Sequence, residues 1–256
     1  MTKVISVTNV KGGVGKSTSA LFIANVLADQ GKRVLLIDID SQNSLTSFYF
    51  DDYEAINGKT ILEAMIDQIA ITDCIYTVSN NIDFIPSDIE LCNLTLQLTD
   101  NRDFKLHTIL EPIKSKYDFI IIDTPPSLHM ETKQSLAISD YVIIPTLLER
   151  WAVRSIDIVL SYINDKNTSL QSIIKTHLES VFILPTSKEK NRKIQDIVLD
   201  DLKMKYNNQV LDGISRKTDV QKLSYIGNNM KLDNIHAYSE YKAVLESILK
   251  PVEVYT

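Results

Sequence analysis

Residues 11 to 18 read Lys11-Gly12-Gly13-Val14-Gly15-Lys16-Ser17-Thr18, and three of the chain's seven glycines fall between positions 12 and 15. Glycine at that density lets successive backbone N–H groups face a single point. A helix beginning there adds its positive end, and the two together form a concave anion site. Lys16 at the end of the loop can neutralise terminal phosphates, and the Ser17 hydroxyl can ligate Mg²⁺. The spacing of Gly15, Lys16 and Ser17 predicts a nucleoside triphosphate site. Ahead of the loop lies the apolar run Val4-Ile5-Ser6-Val7; after it come Ala20-Leu21, Ala24 and Leu27-Ala28 at helical spacing. Strand, glycine loop and amphipathic helix follow in that order.

Phosphate chemistry also needs carboxylates, and two apolar runs end in them. Ile37-Asp38-Ile39-Asp40-Ser41-Gln42-Asn43 closes one, and Phe119-Ile120-Ile121-Ile122-Asp123-Thr124-Pro125-Pro126 closes another. On an extended chain Asp38 and Asp40 share a face, and Ile37 and Ile39 take the opposite one. A carboxylate at such a strand end can orient attacking water or accept its proton, or it can cap the next helix; both roles stay open for Asp38 and Asp40. Asp123 reads as the residue that holds a water on Mg²⁺, with Pro125-Pro126 stiffening the switch segment after it.

Elements able to position these groups are visible in the hydrophobic pattern. Short β-branched runs recur at 4–8, 33–39, 82–86, 119–122, 141–145, 181–185 and near 210–214. Helical spacing appears between most of them, as in Ile61-Leu62, Met65-Ile66, Ile69 and again in Ile156, Val159-Leu160, Ile163. Continuous apolar strands alternating with amphipathic helices predict an α/β fold, a mostly parallel twisted sheet with helices on both faces. At 256 residues and 44% hydrophobic content, one domain spanning 1–256 is expected.

Composition narrows the partners. No apolar run is long enough to span a bilayer, and Met1-Thr2-Lys3 leads straight into a strand, so a cytoplasmic protein is expected. Cys74 and Cys92 match no metal or disulfide pattern, and reduced, buried thiols are expected. His107, His129, His177, His236 and the lone Trp151 show no ligand spacing. The net charge of −6 argues against a globally basic nucleic-acid binder, yet residues 188 to 222 hold nine Lys/Arg against six Asp/Glu. An anionic polymer would meet the chain there.

The extra lysine ahead of the glycine pair, and Val10 where an ordinary P-loop carries glycine, resemble the deviant Walker A motif of the ParA/MinD superfamily, closest to its short, Soj-like ParA branch. Asp123-Thr124-Pro125-Pro126-Ser127 and Glu149-Arg150-Trp151-Ala152 extend the resemblance to about residue 160. It implies a slow, partner-stimulated Mg²⁺-dependent ATPase that segregates plasmid or chromosomal DNA. ATP would be held by residues 11 to 18, with Lys11 reaching the phosphates of a partner subunit in an ATP-sandwich homodimer. Asp40 would be the hydrolytic aspartate, and Ser17 and Asp123 would serve the metal. Ser215 and Lys217, in the segment matching the family's adenine-bordering loop, would serve the nucleotide. Lys188, Lys190, Arg192, Lys193, Arg216 and Lys222 would contact double-stranded DNA without reading sequence, which would associate the ATP-bound form with the nucleoid. A ParB-like centromere-binding protein is the implied partner. The chain departs from the pattern at Ser41, at Ser215 and at Asp219, where some members carry a DNA-binding arginine.

The same residues leave two other outcomes open. A MinD-like ATPase would act on membrane, and a nucleotide-gated module would position a protein cargo. The terminal stripe Ala237, Tyr241, Val244-Leu245, Ile248-Leu249 is amphipathic, but from Glu240 onward it carries two lysines and three glutamates. Anionic lipid favours the opposite balance, so no membrane partner is expected and the helix should dock on the protein's own core.

Overall fold

The computed structural model describes residues 1–98, 102–167, 176–216, 220 and 232–249. Seven strands form one sheet: β1 (Lys3–Val7), β2 (Val34–Asp38), β3 (Tyr76–Ser79), β4 (Ile82–Ile85), β5 (Phe119–Asp123), β6 (Tyr141–Leu147) and β7 (Ser180–Thr186). Their spatial order is β3-β4-β2-β5-β1-β6-β7, and only the β3–β4 pair is antiparallel. Consecutive side chains enter opposite layers, which is why these strands are apolar throughout. Ile5, Leu36 and Ile121 pack under α1 (Lys16–Asp29), whereas Val4, Leu35 and Ile120 join the layer of α3 (Ile61–Met65) and α5 (Lys105–Lys114). The short α2 (Ser44–Tyr49) follows β2, α4 (Leu94–Gln97) precedes α5, and α6 (Met130–Ile138) joins β5 to β6. A third cluster packs α7 (Ala152–Tyr162) and α8 (Lys193–Tyr206) on β6 and β7.

α1 is buried on nearly all sides, not only on the face its spacing suggests. The reason is the terminal helix α9 (His236–Leu249), which lays Ala237, Tyr241, Val244, Leu245 and Ile248 over it. Phe22 and Tyr241 stack with ring centroids 4.8 Å apart, and the Tyr241 hydroxyl lies 2.9 Å from that of Ser19. Such a ring pair adds about 0.5–1.5 kcal/mol to the burial itself. The apolar stripe of α9 is thus spent on the core. Among the described residues no helix is long and apolar enough to cross a membrane.

Four expectations are corrected. Residues 210–214 form no strand; Val210 and Ser215 each make a single bridge, to Ile183 and Lys188. The helix begun at Ile61 stops at Met65, leaving Ile69 beyond it. β3 is an added strand that the hydrophobic pattern does not reveal, because its residues alternate between half-buried and exposed at the sheet edge; a two-residue turn with Asn81 at φ 65° joins it to β4. Cys74 is buried, but Cys92 is exposed.

Candidate active site

The glycine loop is held on both sides. The Asn9 amide donates to the Pro145 carbonyl at 2.7 Å, and its oxygen accepts from the Lys11 N–H at 3.0 Å. From β7, the Thr186 hydroxyl donates to the Val14 carbonyl at 2.8 Å. Gly13 and Gly15 have φ of 70° and 89°, left-handed values at which a side chain is strained. Gly15 caps α1 without any side-chain hydrogen bond, so the first N–H groups of the helix remain available to an anion. Lys16 opens the helix and is 7% exposed. Burial lowers its pKa, while Asp123 and Asp40 hold its charge in place.

Strand register brings the carboxylates to this loop. Asp38 pairs with Asp123 across β2 and β5, and Asp123 pairs with Val7 at the end of β1. Three adjacent carboxyl ends therefore surround the anion site, where ligands bind in open α/β sheets. The two strand-end aspartates differ sharply. Asp38 accepts hydrogen bonds from the N–H groups of Asp40 and Thr46, both at 3.0 Å, and from the Thr46 hydroxyl at 2.9 Å. It anchors the start of α2; burial pushes its pKa up to about 6. Asp123 is fully buried, and neither of its carboxylate oxygens has a hydrogen-bond partner of ordinary geometry. Burial and the neighbouring Asp38 raise its pKa well above the usual carboxylate range, against the pull of Ser17 and Lys16. Two orphaned, buried carboxylate oxygens beside a serine hydroxyl suit a hard, hydrated dication.

Asp40 lies just past β2 and closes its own turn. Its carboxylate accepts from the Gln42 N–H at 3.0 Å and its carbonyl from the Asn43 N–H at 2.8 Å. Ser41 thus sits in a turn stiffened by hydrogen bonds.

The glycine loop and Asp40 line a cleft of about 700 Å³. Gly12, Gly13, Gly15, Lys16, Ser17 and Thr18 all contribute to its lining. Gln42, Phe48, Ser187, Ile214, Ser215 and Arg216 line it as well. Lys11 points elsewhere: its ammonium meets Glu149, beyond β6, at 2.5 Å. Arg192 and Arg216 are brought together by Glu189, whose Oε1 lies 2.6 and 2.8 Å from them. Lys188 and Lys190 lie in the loop before α8, and Lys193 begins that helix. Lys217, Asp219 and Lys222 lie outside the described residues. Sequence reasoning missed Asn9 and Thr186, which brace the loop, and the contacts made by Glu149, Glu189 and Glu240. Apart from the short-range Asn9–Lys11 and Glu189–Arg192 bonds, these contacts span long chain separations and carry no local motif.

A mostly parallel sheet whose central strand runs into this glycine loop, with aspartates ending the two neighbouring strands on one side, defines a P-loop nucleoside triphosphatase fold. The chain belongs to the ParA/MinD-type family: the AAA_31 model, described as an AAA domain, matches residues 2–179. Sporulation initiation inhibitor protein Soj of Bacillus subtilis is 34% identical over 213 residues, 82% of each chain. A crystal structure of a Borrelia burgdorferi B31 protein assigned to plasmid partition, bound to AMPPNP, is 35% identical, with TM-score 0.85 over 98% of this chain and 99% of that one. Cobyrinic acid a,c-diamide synthase from Mycobacterium smegmatis, with bound ADP and magnesium, is 26% identical, with TM-score 0.78 over 96% of this chain and 95% of that one.

Proposed function

We propose that residues 1–256 act as one Mg²⁺-dependent ATPase that partitions plasmid or chromosomal DNA. ATP is held by residues 11 to 18, with its base toward Ser215 and Lys217. Ser17 and Asp123 hold Mg²⁺, which when bound neutralises charge on the β- and γ-phosphate oxygens. The observation that carries this reading is the buried, unpartnered Asp123 carboxylate beside Ser17 and Lys16 at the foot of the glycine loop.

Two copies close face to face over the nucleotides, each sending Lys11 to the other's phosphates. A positive charge supplied in trans is worth roughly 10³ to 10⁵ in rate, so turnover stays slow until the dimer and its partner are in place. Asp40 orients the attacking water. The dimer holds double-stranded DNA through phosphate contacts from Lys188, Lys190, Arg192, Lys193, Arg216 and Lys222, which read no sequence and weaken as salt rises. A ParB-like centromere-binding protein prompts hydrolysis and release. The site of action is the cytoplasm, at the nucleoid when ATP is bound.

Sedimentation velocity with Mg²⁺ and a non-hydrolysed ATP analogue tests the reading. The parent chain should shift from monomer to dimer, and Lys16→Ala should remain monomeric. A Lys16→Ala chain that dimerises with nucleotide overturns it.

A further inference from the structure

Ile214, Ser215 and Arg216 line the cleft without belonging to any strand. Backbone bonds hold them on either side of Ser215: Ile214 N–H to the Pro185 carbonyl at 2.8 Å, Lys188 N–H to the Ile214 carbonyl at 2.9 Å, and Arg216 N–H to the Lys188 carbonyl at 2.8 Å. Ser215 itself is held from another element. Its N–H donates to Glu240 Oε2 at 2.8 Å and its hydroxyl to Glu240 Oε1 at 2.5 Å.

Glu240 stands on α9, and its neighbour Tyr241 is locked to α1 through Ser19 and Phe22. A continuous chain of packed contacts therefore runs from the helix that carries Lys16, through Tyr241 and Glu240, to Ser215. Both hydrogens of Ser215 are consumed by one carboxylate. What Ser215 retains for the cleft is acceptors only, its carbonyl oxygen and the hydroxyl lone pairs.

We infer that Glu240 is a positioning residue that sets base selectivity. By holding both donors of Ser215 it leaves that residue only acceptors toward the cleft, matched to the 6-amino group of adenine and mismatched to the 6-carbonyl of guanine. This rests on the proposed ATP site: a nucleotide whose phosphates occupy the glycine loop has the rest of the cleft for its base. An acceptor facing a carbonyl leaves both unpaired, the arrangement that discriminates most strongly between otherwise similar ligands.

The test is titration of the 256-residue chain, with Mg²⁺, against non-hydrolysed ATP and GTP analogues, comparing the parent with Glu240→Ala and Glu240→Gln and recording each chain's nucleotide-free melting temperature. Glu240→Ala should weaken the ATP analogue about tenfold, the scale of one lost charge-assisted hydrogen bond, and should bring the two analogues to within about threefold of each other. Glu240→Gln keeps the size but loses the charge and one acceptor, and should move the ratio the same way by a smaller factor. A brace with no part in selectivity would weaken both analogues equally. An unchanged ratio in the folded variants, Glu240→Gln included should Glu240→Ala fail to fold, overturns the inference while leaving ATP binding intact. A parent chain that binds neither analogue overturns the ATP reading itself.

Discussion

The Lys11 ammonium nitrogen lies 2.5 Å from Oε2 of Glu149, which stands 138 residues further along the chain. Their side chains are 34% and 46% exposed, so water screens the pair and its net worth is about 0–1 kcal/mol. The contact parks the lysine without committing it. Lys11→Ala should leave the melting temperature within about 2 °C of the parent and leave nucleotide binding by a single copy intact. ATP-analogue-dependent dimerisation, followed by light scattering, should be lost. Dimerisation at parental nucleotide concentrations would rule out a crossing lysine.

Asp38 and Asp40 should separate cleanly. Removing the buried Asp38 carboxylate orphans two N–H groups and a hydroxyl, so Asp38→Ala should cost roughly 3 kcal/mol of stability by denaturant titration. Asp40→Ala gives up one bond to the Gln42 N–H, about 1 kcal/mol, yet should slow ATP turnover by about 10² to 10⁴. Equal turnover in Asp40→Ala and parent would remove Asp40 from the chemistry.

Asp123 offers a pH test. Its pKa is raised in the folded chain, so the stability it contributes is full below the unfolded value of about 4 and is lost as pH rises through the folded one. Asn carries no charge at any pH. Without nucleotide, Asp123→Asn should therefore melt higher than the parent, by a margin that widens from pH 5 to pH 8, while Mg²⁺-dependent turnover disappears. A margin that narrows over that range would contradict the buried, unpartnered carboxylate.

Glu189 draws Arg192 and Arg216 to one oxygen. Glu189→Gln removes a negative charge from the basic stretch and frees both guanidinium groups, so binding to a nonspecific duplex should tighten about three- to tenfold at low salt and less at high salt. Fluorescence anisotropy reads this directly; weaker binding would place the DNA elsewhere.

The glycine loop and Asp123 were legible because each is a local pattern: a glycine cluster with Lys16-Ser17, and an apolar run that ends in an acid. The parallel strands were legible because both faces are buried, leaving no polar interruption. β3 was not, since an edge strand carries half its residues to water. Residues 210 to 214 mimic a strand because Leu211 and Ile214 are buried against the core, yet one bridge, Val210 to Ile183, and the Leu211 and Ile214 N–H bonds to β7 do not make a continuous ladder. Spacing alone leaves Asp38 and Asp40 equivalent; the family resemblance favours Asp40 for hydrolysis, and the three donors around Asp38 give it a structural role. The pairings of Glu149 with Lys11, of Glu189 with Arg216 and of Glu240 with Ser215 join positions 25 or more residues apart, where sequence spacing holds no information.

The most direct test of the partition reading is anisotropy of a nonspecific DNA duplex at two salt concentrations, with no nucleotide, with ADP and with a slowly hydrolysed ATP analogue. Binding that requires the ATP analogue, weakens steeply with salt and falls on reversing the charges of Arg192, Lys193 and Arg216 is the predicted result. A chain that dimerises on the analogue but binds no DNA in any of the three states would contradict it.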